Sequence, residues 1–391
     1  MKLGPLSAAL GLLFVLLVAC NTPANPTPPT PGPSAPALPE LTPDVWTPFA
    51  PGGETVCADG SPYTYYVRPG TVNKLVLEFE GGGACWNGST CSGAVYRPSV
   101  SGGPAKFGDA PPGIYDHANP ANPVRDWYHV FVSYCTADVH LGNSTETYTT
   151  DSGEVTIEHN GQANVAAVLD WVGTEFEAPE AVFVTGCSAG AYGAALYTPQ
   201  IATRYPNADV TQLGDCGAGI IPGTFVTGED GLQRWNIADV LPEGVDLDGG
   251  VPATFLADAY AAIGTAYPEV TLAQYNSAVD GTQILFYALQ LGLNPEDPAD
   301  REAAGQAWVA GLQTSLTQLQ GALPGRFSSY TSLLDYDNNL QNGTAHCVID
   351  NPAFYTLATS GTPFVTWLDG LLNADAPPAP VVPPLPPLPS T

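Results

Sequence analysis

The chain has 391 residues, 44% of them hydrophobic, which is enough for one large α/β domain or two small ones around a sizeable core. Lys and Arg number 10 against 38 Asp and Glu, a formal net charge of −28 at pH 7. That balance excludes nucleic acid as a partner, because phosphate binding needs cationic surface, and it disfavours a polyanionic substrate unless salt or divalent cations screen the field.

Residues 1–19 read as a signal peptide rather than part of the fold. Lys2 supplies the positive end, and Ala8–Ala19 is an apolar run too short to span a bilayer as a stable helix. The run ends in Leu17-Val18-Ala19-Cys20, which resembles a bacterial lipoprotein cleavage box. Cys20 would then be lipidated and become the first residue of an exported, cell-envelope protein that meets the membrane only through its lipid. Residues 20–44 are the linker: Asn21–Pro43 is packed with Pro, Thr and Ala and reads as an extended, semi-rigid spacer. Beyond Ala19 no apolar run is long enough to cross a bilayer.

Residues 45–373 read as the folded domain. Tyr63–Arg68 and Lys74–Phe79 are strand-like runs joined by a turn at Pro69-Gly70. The second runs into Gly81-Gly82-Gly83, where missing side chains let backbone N–H groups face a developing anion. A phosphate-cradling loop is the competing reading, but no G-K-[ST] follows. Tyr128–Tyr134 is a further strand, and Gln162–Phe176 has helical apolar spacing at Val165, Val168, Leu169, Val172 and Phe176.

The next stretch, Ala181–Gly193, reads as a buried strand, a tight turn Gly186-Cys187-Ser188-Ala189-Gly190, and a helix running toward Pro206. A serine between glycines at that junction is the pattern of a nucleophile elbow: glycines relieve crowding and the hydroxyl stands exposed on a strained turn. An ordinary strand-to-helix turn that happens to carry serine is the alternative. Val210–Leu213 continues the alternation, which implies a mostly parallel sheet covered on both faces. Ala253–Thr265, Gln283–Leu291 and Arg301–Leu323 read as helices, Phe327–Leu334 as the last strand, and Val365–Leu372 as a terminal helix. Residues 374–391 are a Pro-rich tail, expected to be disordered or extended.

A serine nucleophile needs a base. Of the five histidines only His346 follows Ser188, in a loop after the candidate last strand, the chain order of α/β-hydrolases. His129 lies in an apolar strand and reads as a core or edge residue, and His117 in a Pro/Asn-rich loop as a surface one. The orienting acid lies between serine and histidine, where Asp215, Asp258, Asp280, Asp335 and Asp337 all qualify. Asp280 sits after a buried-strand segment, Val270–Val279, and before a helix, so it is placed either to hold an imidazole or to cap that helix. The Ala189 amide, just after the serine, would join the glycine loop in facing an oxyanion.

The chain has eight cysteines; setting Cys20 aside leaves Cys57, Cys85, Cys91, Cys135, Cys187, Cys216 and Cys347, an odd number of which at least one is free or pairs unusually. Such use fits an exported protein, and Cys85 and Cys91 are close enough to staple Trp86–Thr90. No C-x-x-C or H-E-x-x-H occurs, so no zinc site is expected, and the chemistry above calls for neither metal nor organic cofactor.

Taken with their flanks, these motifs resemble the pectin acetylesterase family from about Val56 to Leu372. The matching stretches are Cys57–Pro62, Glu80–Asn87, Tyr134–Gly142, Gly186–Gly190, Asp280–Gln283 and His346. The resemblance implies an α/β-hydrolase-like fold with a mostly parallel central sheet flanked by helices. It implies a Ser188-His346-Asp280 triad, with Gly82, Gly83 and Ala189 as oxyanion donors and disulfides Cys57–Cys135 and Cys85–Cys91. It places Trp86, Asp138 and His140 at the pocket mouth, with packing or loop fixation as the alternative. The activity implied is that of a serine carboxylesterase removing short acyl groups, acetyl above all, from a saccharide. Two departures stand out: Gly83-Ala84 where relatives often carry an aromatic residue, which widens the pocket wall, and an acidity that fits a polygalacturonate backbone poorly. An inactive cell-surface carbohydrate-binding protein on a hydrolase scaffold is the alternative from another functional class.

Overall fold

The computed structural model describes residues 1, 41–93, 95–108, 110–228, 231–243, 245, 255–334, 346–374 and 376–383. The signal peptide, Cys20, most of the linker, Asp335 and Asp337 lie outside the described residues.

Among the described residues eight strands form one sheet: β1 (Thr47–Phe49), β2 (Tyr65–Arg68), β3 (Lys74–Phe79), β4 (Tyr128–Val132), β7 (Ala181–Cys187), β8 (Asp209–Asp215), β9 (Thr271–Ser277) and β10 (Phe327–Ser332), in the order β1-β2-β4-β3-β7-β8-β9-β10. The pairs β1–β2 and β2–β4 are antiparallel, and every neighbour pair from β4 to β10 is parallel. This is an α/β-hydrolase-like sheet. Period-two alternation divides its strands between two cores. Leu75, Leu77, Phe79, Val182 and Val184 face one core, and Val76, Phe131, Phe183 and Tyr275 face the other. The first is covered by α1 (Gly161–Glu175), α2 (Ala189–Arg204), α4 (Phe255–Ala266) and α6 (Pro298–Ala322); the second by α7 (Phe364–Asn373) and by the segment around Ile114–Trp127. Two further helices are α3 (Gly223–Thr227) and α5 (Gly281–Gln290), the second packed against α6. Both faces being covered explains why the central strands read as unbroken apolar runs.

A second, two-stranded sheet pairs β5 (Ser144–Thr150) with β6 (Gly153–His159), and a third pairs β11 (Ala358–Thr359) with β12 (Thr362–Pro363). The β5–β6 hairpin escapes apolar pattern reading because it is rich in Thr and Glu. It buries only Tyr148, Ile157 and His159, the first two against the Cys85–Cys91 region. The C-terminal stretch is extended but not free. Val381 pairs with the outer strand β10, its amide donating to the Ser329 carbonyl and its carbonyl accepting from Thr331, both at 2.8 Å. An edge strand otherwise leaves a row of unpaired backbone groups, and this tail covers part of it.

Candidate active site

Ser188 follows β7 and stands at the N-terminal boundary of α2 with φ 56° and ψ −120°, a conformation that a non-glycine residue holds only under strain. Glycines make the turn possible. A Cβ on Gly190 would lie 1.9 Å from the Phe79 carbonyl oxygen, and one on Gly186 would lie 2.4 Å from that of Gly190. Gly81 approaches the turn from the other side; a Cβ there would lie 3.0 Å from the Ser188 Cβ. The Ser188 amide donates to the Asp215 carbonyl at 2.9 Å.

Asp280 ends the loop after β9 and is fully buried. Its two oxygens accept from His346 Nδ1 at 2.9 and 2.8 Å. The same carboxylate accepts the Gln283 amide N–H and the Gln283 side-chain Nε2, each at 2.9 Å. Helix capping and imidazole orientation are therefore performed together by one carboxylate. With Nδ1 committed as donor, Nε2 of His346 is left as the acceptor; it is buried and has no partner. Ser188 and His346 line the same two cavities, and no hydrogen bond joins the serine hydroxyl to the imidazole. Such bonds are often long in unliganded sites.

The glycine loop is held by its carbonyls. Tyr134 Oη donates to the Gly83 carbonyl at 2.8 Å and the Arg97 amide to the Gly82 carbonyl at 3.1 Å. Glu80, just before the loop, accepts from Arg97 at 2.8 Å, from Lys106 at 2.7 Å and from the Tyr134 amide at 3.1 Å. None of the backbone hydrogen bonds among the described residues uses the amide of Gly82, Gly83 or Ala189 as donor. Gly83 has φ +77°, and a Cβ on it would meet the Val95 carbonyl oxygen at 1.9 Å.

Two cavities of opposite character meet at Ser188. The first holds about 70 Å³ and is lined by Gly83, Ala84, Trp86, Phe225, Trp235, Phe286 and Trp308, among others. The second holds about 520 Å³ and is lined by Glu80, Arg97, Lys106, Tyr96, Asp350 and Asn351, among others. Glu78, in its lining, is pushed up to about 8 by burial. Its partner His129, at 2.7 Å, is pulled down to about 3 by burial and by Arg68.

The remaining sequence candidates fall elsewhere. Trp86 is buried in the wall of the smaller cavity, edge-to-face with Phe225 at 4.9 Å between centroids. Asp138 and His140 do not line either cavity, which corrects their placement at its mouth. Asp138 is fully buried and accepts from Thr136 Oγ1 and from the amides of His140, Gly142 and Gly161, at 2.6 to 3.1 Å. His140 pairs with the Glu80 carbonyl at 2.8 Å. Both fix loops, as their short-range polar spacing allows. Asp258 lies on α4 and accepts from Gln318 at 2.7 Å. His117 is partly buried, its Nδ1 3.1 Å from the Arg125 carbonyl, rather than a plain surface residue.

Cys57 is joined to Cys135, Cys85 to Cys91, and Cys216 to Cys347. Cys187 keeps a free thiol, pushed up by burial and by the nearby Asp350, Asp215 and Glu78. Ligand atoms of Cys216, His346 and Cys347 lie within 4.8 Å of one another, but the two sulfurs are bonded together and are not available to a metal. Pattern reading passed over Gln283 as an actor and weighed Asp215 only as a triad acid. Gln283 also accepts the Ala218 amide at 2.9 Å, so it ties the Asp280 carboxylate to the β8 loop.

Residues 50–236 match the family model described as pectinacetylesterase. Pectin acetylesterase 11 of Arabidopsis thaliana is 28% identical over 190 residues, 46% of this chain and 46% of that protein. Pectin acetylesterase 7 of the same plant is 27% identical over 188 residues, again 46% of each. Over this segment the chain is similar to the pectin acetylesterase family. Its aligned part spans a little under half the length of these relatives. The likeness in fold covers more of the chain than the likeness in sequence. A crystal structure of the Wnt deacylase Notum from Drosophila superposes with a TM-score of 0.56 at 16% identity, over 81% of this chain and 89% of that one. The family motifs Gly81-Gly82-Gly83 and Gly186–Gly190 lie inside the matched segment, whereas Asp280 and His346 lie beyond it.

Proposed function

We propose that this chain is a serine carboxylesterase that removes short acyl groups from an acetylated carbohydrate. The observation that carries the reading is a strained Ser188 sharing its cavities with a histidine whose Nδ1 is bound to a buried Asp280, which leaves Nε2 without a partner. In the reaction, Ser188 Oγ attacks the ester carbonyl as His346 Nε2 takes its proton. The amides of Gly82, Gly83 and Ala189 stabilise the oxyanion. The imidazolium then protonates the leaving alcohol, and water, deprotonated by the same nitrogen, releases the carboxylic acid and restores Ser188. Asp280 holds the productive tautomer throughout.

The two cavities support the substrate class. The smaller cavity beside Ser188 is lined mostly by apolar and aromatic side chains, which suits the acyl side of an ester, and the relatives' names point to acetyl. The polar cleft of about 520 Å³ suits sugar rings on the alcohol side. Arg97 and Lys106 line that cleft, both paired to the buried Glu80, so its wall carries cations as well as carboxylates on the alcohol side of the ester. A ladder of aryl esters tests the acyl assignment. We expect kcat/KM to peak at acetyl to butyryl and to fall at least about tenfold by octanoyl, since a chain that does not fit forfeits its burial. A flat profile or a maximum at long chains overturns the short-acyl assignment. Failure of folded protein to react with a fluorophosphonate would favour the carbohydrate-binding alternative.

We further propose that residues 1–19 are removed on export and that a lipid on Cys20 anchors the domain through the 20–44 spacer. The three disulfides support an oxidising compartment. No helix among the described residues is long and apolar enough to cross a membrane. Cys20→Ser should move the protein from the membrane fraction to the soluble one; unchanged fractionation would refute the anchor.

A further inference from the structure

Asp215 and Cys216 lie between nucleophile and base, and the mechanism above uses neither. The Asp215 carbonyl accepts the Ser188 amide at 2.9 Å. Its carboxylate, fully buried, accepts the Val348 amide at 3.1 and 2.9 Å and the Ile349 amide at 2.7 Å. Cys216 is bonded to Cys347, the residue after His346. One dipeptide at the end of β8 thus grips both the backbone that carries the serine and the backbone that carries the imidazole. Asp280 orients the ring through Nδ1, but ring orientation alone does not set where the histidine backbone lies. Burying a carboxylate is costly, and Asp350 close by raises that cost, pushing Asp215 well above the usual carboxylate range. An apolar residue would pack there with less penalty; it would not bind two consecutive amides of the histidine loop.

We propose that Asp215 and the Cys216–Cys347 disulfide form a clamp that sets the separation of Ser188 and His346, with Asp215 as a positioning residue. The proposal rests on the serine-esterase reading. A displacement of about 1 Å in a catalytic pair lowers turnover on the order of a hundredfold without touching substrate binding.

The test uses the full chain and three variants: Asp215→Asn, the double Cys216→Ser/Cys347→Ser, and Cys57→Ser/Cys135→Ser, which removes a disulfide placed away from both cavities. Aryl-acetate kcat and KM and the fluorophosphonate labelling rate are measured well below each variant's melting temperature. We expect both clamp variants to lose about 10- to 100-fold in kcat and in labelling rate with KM within about twofold. The Cys57/Cys135 variant should lose melting temperature but keep kcat. If one clamp variant does not fold, the other decides. The proposal is overturned if folded clamp variants keep kcat within twofold of wild type, or if the distant disulfide variant loses as much turnover. Ser188→Ala separates the two levels. An active Ser188→Ala enzyme refutes the esterase reading and the clamp with it, whereas an inert one beside active clamp variants refutes the clamp alone.

Discussion

Ser188→Ala is expected to lower kcat on an aryl acetate by at least about 10³-fold while leaving the circular dichroism spectrum unchanged, because the other parts of a triad act only through their nucleophile. The fold should not suffer. Ser188 occupies φ 56° at the start of α2 and alanine strains there equally, so the substitution removes one oxygen without changing the backbone problem. Ser188→Gly sharpens the point. Glycine relieves the strain, and its melting temperature should exceed that of the alanine variant by the equivalent of about 1 kcal/mol, with activity equally absent. Stability stored as strain at this one residue would then be visible as a trade against chemistry. An alanine variant that retains near-wild-type turnover would show that the Ser188 hydroxyl is not the attacking group.

Asp280→Asn is expected to lower kcat by about 10³- to 10⁴-fold with little change in KM, the size seen when a triad loses its charge but keeps its shape. The local geometry gives the reason. Both Asp280 oxygens accept, from His346 Nδ1 at 2.9 and 2.8 Å and from the two Gln283 donors at 2.9 Å. An asparagine must turn its amide nitrogen toward one of them. Toward Gln283 it opposes donor with donor; toward His346 it demands the other tautomer, in which Nε2 carries the proton and cannot accept one from serine. Because Asp280 also caps α5, a modest drop in melting temperature should accompany the loss, on the order of 1 kcal/mol in stability. Kinetics separate the roles: a variant that melts earlier but turns over within tenfold of wild type at low temperature would reduce Asp280 to a helix cap.

Much of the scaffold was legible before folding. The apolar runs at Lys74–Phe79 and Ala181–Cys187 became β3 and β7 because strands buried on both faces carry no alternation to misread. The small residues after Ser188 marked a helix pressed against the sheet, and the glycines marked where backbones meet. The hairpin of β5 and β6 was missed for the opposite reason. Its strands are polar on most positions, and the signal lies in a few inward side chains that only a neighbouring loop explains. Asp138 and His140 look like site residues by type and by proximity to a family motif, yet burial turns them inward as loop ties.

By itself the order of residues determined that a strained serine, a glycine loop and a late histidine occur along an acidic, disulfide-bearing chain, since turn chemistry and backbone crowding are local matters. Residue pattern left several carboxylates open and only a family resemblance favoured Asp280; the folded molecule brings Asp280, at the end of the loop after β9, to His346, while Asp215, at the end of β8, meets the Val348 and Ile349 amides instead. Only the folded molecule closed Cys216 on Cys347 and set a small apolar cavity against a large polar one. Those choices depend on contacts between residues far apart in the chain, which no local pattern encodes.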